Sequence, residues 1–224
     1  MADLEPDEYL ARLDPAERAL LLGRGRRRRW PAGASMFLEG ERSGTVVFLV
    51  SGRVKVFSLT DEGEEILLAV RGPGALLGEV SAVDGGPRSA SVAALEPVEA
   101  VVLTAAVFVD FLRSHAAAAT VLLQLVVARL RDADRKRIEF AAYDIASRVA
   151  RRLVELAERF GEPDEKGVRI TVALSQDELA GWVGASREAV AKALRVLRDR
   201  GLVSTGRRTM TVLDLPALRR RGNA

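Results

Sequence analysis

The amino-acid sequence predicts an α+β protein: an N-terminal antiparallel β-roll, one long helix, and a C-terminal winged helix-turn-helix. Three observations predict it. Between residues 24 and 104, short β-branched and apolar runs alternate with glycines at turn-like spacing. From residue 105 the apolar period becomes that of helices, one of them much longer than the rest. From residue 166 the chain is basic and carries two short, capped helices about a glycine turn.

Residues 14–22 read as a short helix with Asp14 as N-cap and Pro15 at its first position, where a missing N–H costs nothing. The runs 46–50, 54–59, 66–70 and 98–104 read as strands, punctuated by Gly33, Gly40, Gly44, Gly52, Gly63, Gly72 and Gly74. Such regular spacing argues for an antiparallel barrel or roll. Arg26, Arg27, Arg28 and Arg29 raise a nucleic-acid reading. Beside strand-like Trp30 and far from the basic end, they read instead as a solvated strand face.

Residues 105–114 and 116–142 read as helices. On the second, Leu123, Val126, Leu130, Ala133, Arg137 and Phe140 follow at alternating intervals of three and four, a heptad seam containing one charge. Packing on its own roll is one way to cover that seam. A second copy of the helix in a parallel homodimer is the simplest partner for its length. Residues 144–160 read as another amphipathic helix and 161–167 as a turn. The expected division is a sensing roll over 1–115, a dimerisation helix over 116–142 and a small basic domain over 143–224.

Composition bounds the function. With 224 residues, 48% hydrophobic and 29% charged, the chain can bury one large core or two small ones. The absence of cysteine excludes disulfides, Fe–S clusters and thiolate metal sites. Residues 1–15 are acidic and lack a basic start followed by an apolar run, so no signal peptide is expected. The longest apolar stretch, 116–128, includes Thr120 and Gln124 and is too short for a bilayer; a cytoplasmic protein without membrane contact is expected. The net charge of +3 hides an asymmetry: 22 Lys and Arg against 26 Asp and Glu up to residue 165, then 12 against 5. A compact basic end on a mildly acidic body is the footprint of a nucleic-acid-binding module. No Ser–His–Asp constellation, Walker loop or metal-spaced cluster is present, so neither catalysis nor a metal is expected. His115, the single histidine, lies at a helix junction without a second ligand and reads as structural or exposed, against haem sensing.

The most informative stretch is 174–197. Ser175 is a good N-cap, and Glu178 three residues on completes a capping box. Helix 176–183 turns Leu179, Ala180 and Val183 inward; Gly184 permits a tight turn and Ala185 a close crossing. Ser186 caps a second helix with Val190, Leu194 and Leu197 on one face. Its other face offers Arg187, Glu188, Lys192 and Arg195, groups able to donate to guanine or accept from cytosine N4. Segments 201–203 and 210–213 flank Gly206, Arg207 and Arg208 as a hairpin wing whose arginines can reach phosphates.

The stretch 174–197, with Val183-Gly184-Ala185-Ser186-Arg187-Glu188 at its centre, resembles the recognition motif of the cyclic-AMP receptor protein (CRP/FNR) family of bacterial regulators. The resemblance runs over residues 10–213 and includes the roll, the long helix and the segment Asp144-Ile145-Ala146-Ser147-Arg148 as hinge. It implies a homodimer whose rolls bind an effector and whose DNA-binding domains then fit two half-sites, with RNA polymerase as a further partner. It also implies that Arg187 and Glu188 read bases. Lys192 stands where many members carry Arg, which keeps the charge but loses the bidentate fork. Ser175, Gln176, Ser186, Arg207 and Arg208 complete the candidate DNA-binding set.

A second segment, Leu77-Gly78-Glu79-Val80-Ser81 through Pro87-Arg88-Ser89-Ala90, resembles the phosphate-binding cassette of cyclic-nucleotide domains. On that resemblance Arg88 pairs with the phosphate, aided by the Ser89 hydroxyl and the Ala90 N–H. Glu79 accepts from the ribose 2′-hydroxyl, with Gly78 allowing close approach, and Arg129 pairs with Glu79. An ordinary turn and ion pair is the plainer alternative. Where cyclic-AMP-binding members place Thr then Ser, this chain has Ala133 and Asp134. Ala133 cannot hydrogen-bond through its side chain, whereas Asp134 can accept from a base amino group or stand as a solvated helix residue. Cyclic AMP is the first candidate effector and cyclic GMP the second, with no covalent cofactor. A reading from another class also stays open: a small-ligand-binding protein whose C-terminal domain contacts protein rather than DNA.

Overall fold

Strand-forming runs that end at turn glycines build most of the N-terminal half in the computed structural model, which describes residues 4–6, 8–206 and 209–224. Two helices come first, α1 (Tyr9–Arg12) and α2 (Pro15–Gly23). The Asp14 carboxylate caps α2 by accepting from the Ala16 N–H at 2.8 Å, and Pro15 opens it as the sequence predicts. Then follow β1 (Arg26–Trp30), β2 (Ser35–Phe37), β3 (Thr45–Ser51), β4 (Val54–Leu59), β5 (Glu65–Arg71), β6 (Leu76–Leu77), α3 (Glu79–Asp84), β7 (Ser91–Ala94) and β8 (Val98–Thr104). These strands form two four-stranded sheets of order β1-β8-β3-β6 and β2-β7-β4-β5. The very short β2, β6 and β7 and helix α3 escaped the sequence reading because none is long enough to show a period.

Alternation along the strands sends side chains to two cores. Val47, Leu49, Val54, Val92, Val98 and Ala100 meet between the sheets. Val46, Phe48, Val101 and Leu103 point the other way, onto Tyr9 and onto the helices α4 (Ala105–Ser114) and α5 (Ala116–Ala142). There Tyr9, Phe48 and Phe108 stand 5.8 to 6.3 Å apart, with edge contacts from Phe108. His115 ends α4, its ring stacked on Phe111 at 4.2 Å and Nδ1 2.9 Å from the Phe111 carbonyl, so its role is structural. The four arginines of β1 are exposed and Trp30 is buried, the solvated face expected. Arg27 and Arg29 pair with Glu99 on β8.

The chain groups into two compact units, residues 1–58 with 68–132, and residues 59–67 with 133–224. In the second, α6 (Ile145–Phe160) buries Val149, Ala150, Leu153, Leu156 and Phe160. After it come β9 (Gly161–Asp164), β10 (Gly167–Ile170), α7 (Gln176–Val183), α8 (Arg187–Asp199), β11 (Val203–Gly206), β12 (Thr209–Val212) and α9 (Leu215–Gly222). Residues 161–167, read as a turn, instead open a hairpin: β9 pairs with β10, and β11, β12, β10 and β9 lie in one sheet. Gly-Glu-Pro-Asp has no apolar alternation because β9 is a mostly exposed edge strand. The unforeseen α9 is capped by Asp214, which accepts from the Ala217 N–H at 2.9 Å; it packs on α6 and buries Leu218. No single helix among the described residues is long and apolar enough to cross a membrane.

Candidate effector and DNA-binding sites

The cassette begins where β6 ends. Gly78 takes a left-handed conformation, φ +79°, and caps α3; a Cβ there would lie 2.0 Å from Nη1 of Arg88, so the position admits only glycine beside that arginine. Glu79, the first residue of α3, is buried, and its carboxylate accepts from Nη1 of Arg129 at 2.5 Å. Nη2 of Arg129 donates to the Leu76 carbonyl at 3.0 Å, which fixes the guanidinium against β6. The ion pair anticipated between Glu79 and Arg129 is therefore formed.

Arg88 is only 3% exposed. Its Nη1 donates to the Ser81 hydroxyl at 2.8 Å and the Gly78 carbonyl at 3.1 Å. Its Nη2 donates to the Thr45 carbonyl at 2.7 Å, the Ser43 hydroxyl at 2.9 Å and the Thr45 hydroxyl at 3.1 Å. One flat face of the guanidinium covers the Phe37 ring at 3.9 Å. Burial pushes the Arg88 pKa below the usual arginine value, while Glu79 and Glu41 pull it back up. Nε, also buried, has no hydrogen-bond partner among the described residues, and the same holds for Nε of Arg129. Ser89 is exposed and Ala90 half-buried. Ser43, Thr45 and Phe37 were not singled out in the sequence; they come from strands and a loop more than forty residues before Arg88, and no local pattern marks them. Ala133 and Asp134 are exposed residues of α5 and belong to the second unit.

The helix-turn-helix forms as its caps dictate. The Ser175 hydroxyl accepts from the Glu178 N–H at 3.1 Å and the Glu178 carboxylate accepts from the Ser175 N–H at 2.8 Å, closing the capping box. Gly184 turns the chain with φ +60°, and the Ser186 hydroxyl starts α8 by accepting from the Ala189 N–H at 3.2 Å. Leu179, Ala180, Val183, Val190, Leu194 and Leu197 are buried as expected, together with Trp182. Arg187, Glu188, Lys192 and Arg195 are exposed, as is Gln176. Arg187 lies 3.5 Å from the Asp177 carboxylate on α7. Between β11 and β12, Arg207 and Arg208, the expected wing arginines, lie outside the described residues.

The segment 144–148, expected as a hinge, opens with a further cap. Asp144 Oδ1 accepts from the Ser147 N–H at 2.6 Å and its hydroxyl at 2.7 Å, and Arg221 of α9 lies 2.9 Å from Oδ2. The Ser147 hydroxyl, then its N–H and Arg221, hold the Asp144 carboxyl down at about 2 against the partial cost of burial. On α5, Leu123 and Leu130 are 64% and 61% exposed, and Val126 is exposed too. Ile138, outside the heptad reading, is as bare, at 63%. Phe140 is partly occupied within its own unit: its ring lies against Gly184 and under the guanidinium of Arg148 at 5.3 Å.

Comparison with known proteins matches this anatomy. Residues 27–115 match the cyclic nucleotide-binding domain family and residues 147–221 the Crp-like helix-turn-helix domain family. The chain is similar to the CRP-like cAMP-activated global transcriptional regulator of Mycobacterium tuberculosis, with 33% identity over 96% of this chain and 99% of that one. It is also similar to the cyclic AMP receptor protein of Thermus thermophilus, with 32% identity over 92% of each chain. Among solved structures, the c-di-GMP responsive global regulator CLP of Xanthomonas campestris superposes with a TM-score of 0.76 at 25% identity, covering 90% of this chain and all of that one. With a cassette built on Gly78, Glu79 and Arg88 and a capped helix pair presenting Arg187 and Glu188, the chain belongs to the CRP/FNR family, as an effector-gated DNA-binding transcription regulator.

Proposed function

We propose that this regulator is a cytoplasmic homodimer that binds an inverted-repeat operator under the control of a cyclic nucleotide, cyclic AMP first and cyclic GMP second. The reading is carried by the orphaned Nε–H of Arg88, a buried charged donor without an acceptor. Leaving such a donor unpaired costs about 1–3 kcal/mol, which an anionic oxygen removes. The phosphate sits on Arg88, the Ser89 hydroxyl and the Ala90 N–H; the ribose 2′-hydroxyl donates to Glu79, which Arg129 orients. The names of the M. tuberculosis and X. campestris relatives both specify cyclic phosphodiesters, cAMP and c-di-GMP.

The roll over 1–115 is the sensor, 116–142 the dimerisation helix and 143–224 the DNA-binding domain. Leu123, Val126, Leu130 and Phe140, with Ala133 and Arg137, form the seam to a second copy, and the exposure of its leucines supports that role. Arg187 donates to guanine, Glu188 accepts from cytosine N4 and Lys192 adds a third contact, while Arg207 and Arg208 hold phosphates and Ser175, Gln176 and Ser186 complete the DNA-binding set. RNA polymerase is the protein partner at the promoter, and the chain carries out no catalysis.

Calorimetry with each nucleotide, followed by mobility shift on pooled palindromic DNA with and without it, tests the reading. The expected result is saturable binding of one nucleotide and a shift that depends on it. If neither nucleotide binds at millimolar concentration, the effector is of another class; if no DNA shifts, the C-terminal domain contacts protein.

A further inference from the structure

We propose that Ser43 and Thr45, outside the cassette, are positioning residues: they hold the Arg88 guanidinium so that its Nε edge, and not its pair of Nη nitrogens, meets the phosphate. The inference rests on the cyclic-nucleotide reading of the site. An arginine has five N–H donors, four of them on the Nη nitrogens. On Nη1 both have acceptors, the Gly78 carbonyl and the Ser81 hydroxyl. On Nη2 both have acceptors as well, the Thr45 carbonyl and the two hydroxyls of Ser43 and Thr45. Those hydroxyls lie 3.1 Å apart, within hydrogen-bond distance of each other, and each accepts from Nη2. Phe37 closes one flat face. The Nε–H alone is left, buried and unpartnered.

An arginine that recognises a phosphate as a fork presents two parallel donors. Here the fork is turned into the protein, where it joins the start of β3 to the Gly78–Ser81 turn. The ligand phosphate therefore receives one charged hydrogen bond from a guanidinium already oriented before binding. Orientation set in advance is affinity gained, because no rotamer freedom is lost when the ligand arrives. Ser43 and Thr45 supply the part of that orientation that comes from outside the cassette.

The test compares the full-length protein with Ser43→Ala, Thr45→Val, the double variant and Thr45→Ser. Calorimetry with cyclic AMP and cyclic GMP reads affinity, and thermal melting reads folding. Each hydroxyl deletion is expected to weaken nucleotide binding about tenfold, and the double variant on the order of a hundredfold. Thr45→Ser, which restores the acceptor without the methyl group, is expected to bind as the parent does. Nitrogen-15 NMR of the ligand-free protein, with the Arg88 signals assigned by Arg88→Lys, gives a readout independent of any nucleotide. A guanidinium held at both ends rotates slowly and keeps its Nη signals separate, and they are expected to merge in the double variant. Unchanged or tighter binding in a double variant that melts normally overturns the proposal, since tighter binding is what a competing latch produces. Should the double variant fail to fold, Ser43→Ala alone decides by the same criteria. If the parent binds neither nucleotide, the reading of the pocket fails, and merged or separate Nη signals still decide how Arg88 is held.

Discussion

On the proposed reading, two arginines in this molecule meet phosphate and base, and they are prepared in opposite ways. Arg88 is buried, with both Nη nitrogens tied to the protein and an aromatic ring against its plane. Arg187 has 63% of its side chain exposed and, among the described residues, pairs with Asp177 at 3.5 Å. The first carries the cost of desolvation permanently and offers a fixed geometry to one small ligand. The second keeps its rotamers until DNA orders them, and so can adapt to a groove whose shape varies with sequence. Burial, not residue type, is what sets the two apart.

The comparison breaks most visibly at Arg88. Arg88→Ala is expected to abolish nucleotide binding and, by removing the buried donor shared by the Thr45 carbonyl and the Ser43, Thr45 and Ser81 hydroxyls, to cost on the order of 3 kcal/mol of stability. Calorimetry and denaturant unfolding read the two effects. Arg187→Ala or Glu188→Ala is expected to leave stability within about 0.5 kcal/mol of the parent. Each should cost about 1–3 kcal/mol of binding to the preferred operator and relax preference at one base pair. Selection from randomised DNA that returns an unchanged motif for Arg187→Ala would falsify the assignment of the recognition helix. Leu130→Asp is expected to place an unpaired charge in the seam and leave a folded monomer; sedimentation at micromolar concentration checks it.

The smallest effect belongs to an intermediate case, the exposed but well-bonded Asp144. Its carboxyl is held at about 2, below the ordinary 3.8, chiefly by the Ser147 hydroxyl. The folded-state value is depressed, so the contribution is complete above about pH 4 and is lost as the pH falls toward 2. Asp144→Asn removes that contribution at neutral pH, so the stability gap between parent and variant is expected to narrow over this window. Urea midpoints for both proteins at several pH values within it measure the narrowing.

What the sequence made legible follows from distance along the chain. Caps act over three residues, and Asp14, Ser175 with Glu178, and Ser186 all stand where the local pattern put them. The Glu79–Arg129 pair spans fifty residues and came only through a family resemblance. Ser43 and Thr45, which also accept from Arg88, came from neither route, because the start of β3 comes beside the cassette only through long-range pairing of β3 with β6. Strand β9 was missed because an exposed edge needs no apolar alternation, and the exposed Ile138 because it falls off the heptad spacing. Phe140 fits the seam spacing, yet its ring meets Gly184 and Arg148 of its own chain, a contact between distant segments that spacing alone cannot show.

Gly78 has a consequence for how this sensor can change. The space its missing side chain leaves is the space Nη1 of Arg88 occupies. A substitution at 78 is therefore punished twice while Arg88 is present, by the left-handed backbone and by the displaced guanidinium, but only once after Arg88 has gone. The two positions are epistatic, and the order of mutations matters. A lineage abandoning this phosphate site can lose Arg88 first and then let 78 drift, whereas the reverse path passes through an intermediate damaged in both fold and binding. A double-mutant cycle between Gly78→Ala and Arg88→Ala should accordingly show the pair less harmful than the sum of its parts.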